Sequence, residues 1–363
     1  MKKTWIWIII IATVALATVL YITQTKKDSD EIKIGAILPM TGPSSLLGEL
    51  ARNGLTIAEN DINNKGGING RQVKIYIEDG MADPSSSVSA FRKLVTLDKV
   101  KFVVTTHSSV SLAISPLADR DKIILFVHAS HPQITGKSPY IFRHSNIAEQ
   151  ESQEIVDFVQ KENMRTYSIA VMDDDYGIVF RENLIKLFLE NNISIVSDVV
   201  YEKTETDFKT VAQKLLLSNQ NPEIIVIAGL GNGVGLLIRR LKEFGYEGDI
   251  LITLGAVITG AFESAGKSAK GIYYIDFRFD STDKDYQDLS ERYYEKYKSS
   301  LQSSSVLFYN TLMLLGHVIE KVDEDPHKVS KYLKTLEYFR GIGEEMEIVN
   351  NYDIVPSLQV FRK

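Results

Sequence analysis

From residue 31 onward the chain alternates apolar runs of strand length with stretches of helical periodicity, and it does so in two successive series. Residues 32–39 form a first strand. Leu47, Leu50, Ala51, Leu55, Ala58 and Ile62 then share one helical face, which Gly66-Gly67 closes as glycine does beyond a C-cap. Val73, Ile75 and Ile77 alternate through a strand over 72–78. A helix over 84–98, a strand over 101–105, a helix over 110–118 and a strand over 123–129 complete this series. The second series runs helix 149–161, strand 167–172, a helix after Tyr176, strand 193–201, a helix from Asp207, strand 223–229, helix 235–244 and strand 249–255. After a strand over 272–279 the pattern turns helical, with strands only at 344–349 and 357–361. Such alternation implies parallel sheets covered by helices on both faces. Two series, with no flexible linker between them, predict an α/β protein of two doubly wound lobes joined by strand crossings.

Open parallel sheets bind ligands beyond the carboxyl ends of their strands. The segments 40–47, 105–109, 128–132, 173–176, 229–233 and 255–257 therefore line a predicted cleft between the lobes. Several carry hydroxyls and open helix N-termini, a chemistry suited to an anion such as a carboxylate.

Charge and composition narrow the function. The chain has no cysteine, which removes disulfides, thiolate metal sites, cysteine nucleophiles and lipid attachment through an N-terminal cysteine. Residues 1–27 carry four lysines and no acid, leaving 37 basic against 47 acidic side chains in the remainder, a net charge of −10. So acidic a body lacks the basic surface that nucleic-acid binding requires. Residues 5–23 run without a charge between Lys3 and Lys26. A positive start followed by an apolar run marks an export signal, and Ala15-Leu16-Ala17 offers a small-x-small cleavage site. The run also has about the 20 residues a membrane-crossing helix needs, so residues 1–30 read either as a signal sequence or as an N-terminal anchor. The body is expected outside the cytoplasmic membrane, in the periplasm or on the membrane's outer face.

The segment IKIGAILPMTGP (32–43), followed by AENDINNKGGINGRQVKIYIEDGMADP, resembles the type I periplasmic solute-binding proteins of branched-chain amino acid (leucine/isoleucine/valine) ABC transporters. TDFKTVAQKL (206–215), Asp175-Tyr176-Gly177 and SAGKSAKGIYY (264–274) extend the resemblance over nearly all of 31–363. It implies a non-enzymatic, monomeric clamp without cofactor or metal, closing on a small carboxylate ligand and presenting it to an ABC permease. Three crossings are implied, near 145, 277 and 342. They divide the chain into lobe 1, 31–146 plus 278–342, and lobe 2, 147–277 plus 343–363. The resemblance places the ligand carboxylate on Ser108 or Ser109, on Ser130 and on the main chain at Ala129, with Tyr176 stacking over the ligand.

Three positions depart from the family pattern. Leu254 falls where amino acid binders carry a glutamate for the ligand ammonium, and Leu230 where they carry an aromatic or polar contact. Leu47 likewise replaces a common aromatic. A buried ammonium without a carboxylate partner is costly. The expectation is therefore a carboxylate ligand with an apolar or weakly polar body, such as an aromatic, branched or keto acid. Asp173, Asp174 and Asp175 read as a solvated turn with a helix N-cap, or as substitutes for the missing glutamate. A ligand sensor signalling in trans to a membrane partner is the other functional class consistent with these residues.

Other motifs point nowhere stronger. GLGNGVG (229–235) follows a strand but misses the third glycine of G-x-G-x-x-G, so it reads as a tight turn at the cleft. His107, His128 and His131 fall in strand-end loops, where they read as ordinary loop histidines or as hydrogen-bonding groups at the cleft rim; with no cysteine and no nearby pair of acids, a metal site is less favoured. A hydrolase would need a G-x-S-x-G elbow and a partner acid, and neither is present. The tyrosines of 285–300 lie at helical spacing among charges and predict an amphipathic helix packing its rings on lobe 1.

Overall fold

The computed structural model describes residues 31–217 and 221–363. Strands β1 (Glu31–Leu38), β2 (Gln72–Asp79), β3 (Phe102–Thr106), β4 (Ile124–His128) and β5 (Ile141–His144) come first. Then follow β6 (Thr166–Met172), β7 (Ser194–Tyr201), β8 (Ile224–Ala228), β9 (Asp249–Ile252) and β10 (Tyr273–Phe277). Short strands β11 (Tyr338–Arg340), β12 (Glu345–Val349), β13 (Asp353–Ile354) and β14 (Leu358–Arg362) close the chain. They build an eight-stranded sheet, β11-β12-β13-β5-β4-β3-β1-β2, and a six-stranded one, β14-β10-β9-β8-β6-β7. Pairing is parallel through the middle of both sheets and antiparallel at the ends formed by β11–β13 and β14. Central strands such as β3 (FVVTT) and β8 (IIVIA) are buried along their whole length, as strands covered on both faces must be.

The covering helices are α1 (Ser45–Asn64), α2 (Pro84–Lys93), α3 (Ser108–Asp121), α4 (Ala148–Lys161), α5 (Asp175–Glu190), α6 (Lys209–Leu216) and α7 (Asn232–Glu243). The short α8 (Leu254–Ile258) and α9 (Ala261–Ala265) precede α10 (Lys284–Tyr297), α11 (Ser303–Val322) and α12 (Pro326–Thr335). The last three return to the first lobe. Gly54 of α1 lies so close to α11 that a Cβ there would sit 2.1 Å from Ser305 O. The tyrosine-rich segment behaves as its periodicity predicts: Tyr293 is fully buried and receives a 3.2 Å hydrogen bond from Asn53 Nδ2, while Tyr294 faces solvent.

The last crossing differs from expectation. The sequence reading assigns 343–363 to the second lobe, with the chain crossing near 342. Instead β12 pairs with β11 and β13, and β13 runs parallel to β5, so the chain stays in the first sheet until Ile354 and joins the second at Leu358. Met346 and Ile354 are buried in the first-lobe core, which is what holds the segment there. Residues 5–23, read as signal or anchor, lie outside the described residues; among those described, no helix is long and apolar enough to cross a membrane.

Candidate ligand-binding site

A cavity of about 70 Å³ lies between the lobes, at the carboxyl ends of strands from both sheets. That is several times the roughly 10–15 Å³ needed for one water. Ser108, Ala129, Ser130 and Leu47 line it from the first lobe, and Tyr176, Leu230 and Leu254 from the second. These are the positions singled out from sequence, with one exception: Ser109 does not line it. The reason is local. The strand stops at Thr106, and His107 is the N-cap of α3, so Ser108 and Ser109 occupy successive helical positions rather than a loop. Residues one apart on a helix point about 100° apart, so one hydroxyl faces the cavity and the other does not.

The first-lobe wall carries dipoles and no formal charge. His107 and His128 both line it. Burial, and then Lys203 nearby, push the His107 imidazole down to about 4; burial, and then His144, hold His128 well below the ordinary histidine range. Both are neutral at neutral pH. His131 is placed apart from the wall, its Nδ1 accepting from Gln133 N at 3.2 Å. Asp83, Asp283 and Asp325 cap α2, α10 and α12 with their carboxylates, whereas no side chain caps α1 or α3, whose first turns reach the cavity through Leu47 and Ser108. First-turn amides left uncapped retain their capacity to donate, and the helix dipole adds to it.

The second-lobe wall has an ionisable side chain. Glu151, in the first turn and a half of α4, is only 1 % exposed and lines the cavity. Its Oε2 accepts from Tyr176 Oη at 2.8 Å and from Asn146 Nδ2 at 3.2 Å, while Oε1 accepts from the Leu254 amide at 2.8 Å. Burial raises its carboxyl to about 6, against the pull of those three donors. A carboxylate has about four acceptor positions, so one is left for a further donor. Leu254 thus brings its amide to the acid and its side chain to the cavity. The remaining lining is apolar, from Ile258, Phe277, Leu307 and Phe308, with Ser145 and Ser304 between.

Sequence reasoning missed Glu151. The available signal was an acid on the apolar face of α4, in phase with the buried Ala148, Ser152, Ile155 and Val159. It also missed the contribution of α11, which lines the cavity through Ser304, Leu307 and Phe308. None of Asp173, Asp174 and Asp175 lines the cavity. Asp174 caps α5, accepting from Gly177 N at 2.7 Å. Among the described residues, no group of three histidines or acids is placed to hold a metal ion.

The lobes meet at the cavity rim. Gly231, the N-cap of α7, has φ +66° and ψ −160°, a conformation open essentially to glycine alone. A Cβ there would lie 3.0 Å from Pro43 Cβ of the opposite lobe. GLGNGVG is therefore a turn that brings bare backbone against the facing lobe, while its Leu230 points to the cavity.

The profile of the periplasmic binding protein family matches residues 31–352. The chain belongs to that family. This binding protein is 27 % identical over 340 residues to a leucine-, isoleucine-, valine-, threonine- and alanine-binding protein of Pseudomonas aeruginosa, covering 90 % of this chain and 89 % of the relative. Among solved structures it resembles the leucine-binding protein LivK of Thermotoga maritima (TM-score 0.84, 22 % identity, 92 % and 97 % coverage). It also resembles a solute-binding protein of R. palustris solved with benzoate (TM-score 0.81, 18 % identity, 91 % and 92 % coverage). Both structures share the fold: two doubly wound lobes around a central cleft.

Proposed function

We propose that the protein is the extracytoplasmic receptor of an ABC importer and that its cavity takes an apolar α-amino acid as the zwitterion. Residues 1–30 provide export, and the moving units are 31–145 with 278–354, and 148–277 with 355–363. The carboxylate is received by Ser108, Ser130, the main chain at Ala129 and the open first turn of α3. Glu151 receives the ammonium. Tyr176, Leu230 and Leu254 cover the apolar body. Contacts made from both lobes at once shift the population to the closed form that a permease recognises.

Glu151 is the observation that carries this reading. A ligand with a carboxylate and no amine would bring a second negative charge into a cavity whose other wall is neutral. An ammonium instead offers the buried carboxylate a partner and offsets its desolvation. On this reading α4 supplies the acid absent at position 254, and the ligand is an amino acid rather than the non-amino acid that Leu254 alone suggested. The test is a thermal-shift titration at pH 7.5 with L-leucine, with 4-methylpentanoate (the same skeleton without the amine) and with 3-methylbutylamine (without the carboxylate). L-leucine at about a hundred times its Kd adds about 2.7 kcal/mol of stability, and the two half-ligands add little. Stabilisation by 4-methylpentanoate alone would sink the assignment of Glu151.

A further inference from the structure

The junction between β3 and α3 holds an unfavourable backbone beside the cavity. His107 has φ +65° and ψ +137°, a region that residues bearing a Cβ seldom enter. The helix-ending lysines Lys99 and Lys122 also have positive φ, but with ψ of 36° and 42° they sit in the ordinary left-handed well. Strain of the His107 kind persists only where surrounding structure enforces it.

Two hydrogen bonds enforce it here. His107 Nδ1 lies 2.6 Å from Thr106 Oγ1, and Nε2 lies 3.2 Å from Ser44 Oγ. A neutral imidazole offers one donor and one acceptor, so one hydroxyl donates to the ring and the other accepts from it. Both ring partners lie away from the first turn of α3, so the ring makes no cap. Ser44 is the N-cap residue of α1, and its hydroxyl, the ordinary capping atom, is turned to His107 instead. A single contact therefore withholds the side-chain caps of two helices whose first turns reach the cavity. Carboxylates cap α2, α5, α10 and α12, so the fold supplies such caps elsewhere.

We propose that His107 is a positioning residue for the ligand carboxylate: its ring, tied to Thr106 and Ser44, holds the turn that aims the Ser108 end of α3 into the cavity and keeps its amides free. This rests on the carboxylate half of the binding reading above and not on the amine half.

The experiment compares wild type with His107→Gly and His107→Asp by calorimetric titration, using L-leucine and 4-methylpentanoate, together with melting of the unliganded proteins. Glycine accepts the backbone angles without strain but loses the tether to Ser44. The carboxylate introduced by His107→Asp would supply the missing cap and compete for the amides. The expected result is unliganded melting at or above wild type for both variants. Affinity for the bound probe falls about tenfold in His107→Gly and more than a hundredfold in His107→Asp. Wild-type affinity in His107→Asp overturns the proposal, as does a melting loss in both variants with affinity unchanged. Both probes carry the same carboxylate. Wild type binding only 4-methylpentanoate would overturn the amine assignment while leaving the His107 comparison in force.

Discussion

The two walls of the cavity treat charge differently. The first-lobe wall presents hydroxyls, uncapped helix amides and two neutral histidines. The second presents an ionisable acid enclosed by Tyr176, Asn146 and the Leu254 amide. Neutral dipoles would suit a lobe that receives an anion from water and releases it again, because they need no counter-charge while empty. A full charge is tolerable on the other wall because three donors hold it in place. On the proposed reading, this difference between the walls orients the ligand, with its carboxylate on one lobe and its ammonium on the other.

Glu151→Gln breaks that comparison most severely. The amide is nearly isosteric and keeps an oxygen for the Leu254 amide, so the fold survives. Removing one member of a buried charge pair costs about 2–5 kcal/mol, which is roughly 30-fold to several thousand-fold in Kd. Calorimetric titration with L-leucine should read that loss, while 4-methylpentanoate should bind no worse than to wild type and better if repulsion was its obstacle. An L-leucine affinity within threefold of wild type would remove Glu151 from the ammonium site.

The pH dependence is the next largest effect, and its sign separates the ligand classes. Burial sets the Glu151 carboxyl at about 6 in the folded protein, above the ordinary 4.5. The unliganded fold therefore holds the proton more tightly than the unfolded chain. The stability this gives is fully present below about 4.5 and is lost as pH rises through about 6. An ammonium ligand needs the ionised acid, so L-leucine affinity should fall by about tenfold between pH 7.5 and pH 5, where the proton outweighs its loss by about ten to one. For 4-methylpentanoate, of which about half is still ionised at pH 5, the trend should reverse. A flat profile for both ligands would show that the acid does not face them.

The comparison also explains what sequence could and could not reveal. Alternating elements are local patterns, so both doubly wound lobes were legible. The strand-end rule covered the segments of Ser108, Ala129, Ser130, Tyr176 and Leu230, the family resemblance singled out those residues and Leu254, and all six line one cavity. The partner sheet of β12 was not legible. A period-two pattern states which face is apolar but not which sheet the strand will join, and the burial of Met346 and Ile354 that decides it is a long-range matter. Glu151 escaped for a related reason. The acid and the position where it was sought, Leu254, are 103 residues apart in sequence and 2.8 Å apart in space. A substitution that looks like the loss of a charge can be its relocation.

Asp174→Ala makes the smallest change and isolates the second-lobe wall from its neighbourhood. The three aspartates of 173–175 follow a strand end near the cleft, and that position left them as candidates for the ammonium. Asp174 instead caps α5 through Gly177 N, and burial raises its own carboxyl above the ordinary aspartate range. Loss of a cap costs about 1 kcal/mol, and the raised carboxyl, itself an unfavourable burial, should reduce the net loss. Melting should therefore fall by no more than a few degrees, with L-leucine affinity within twofold of wild type. A tenfold loss of affinity at unchanged melting would make the acid in front of α5, and not only the one inside α4, part of the ammonium site, and the single-charge account of this wall would fail.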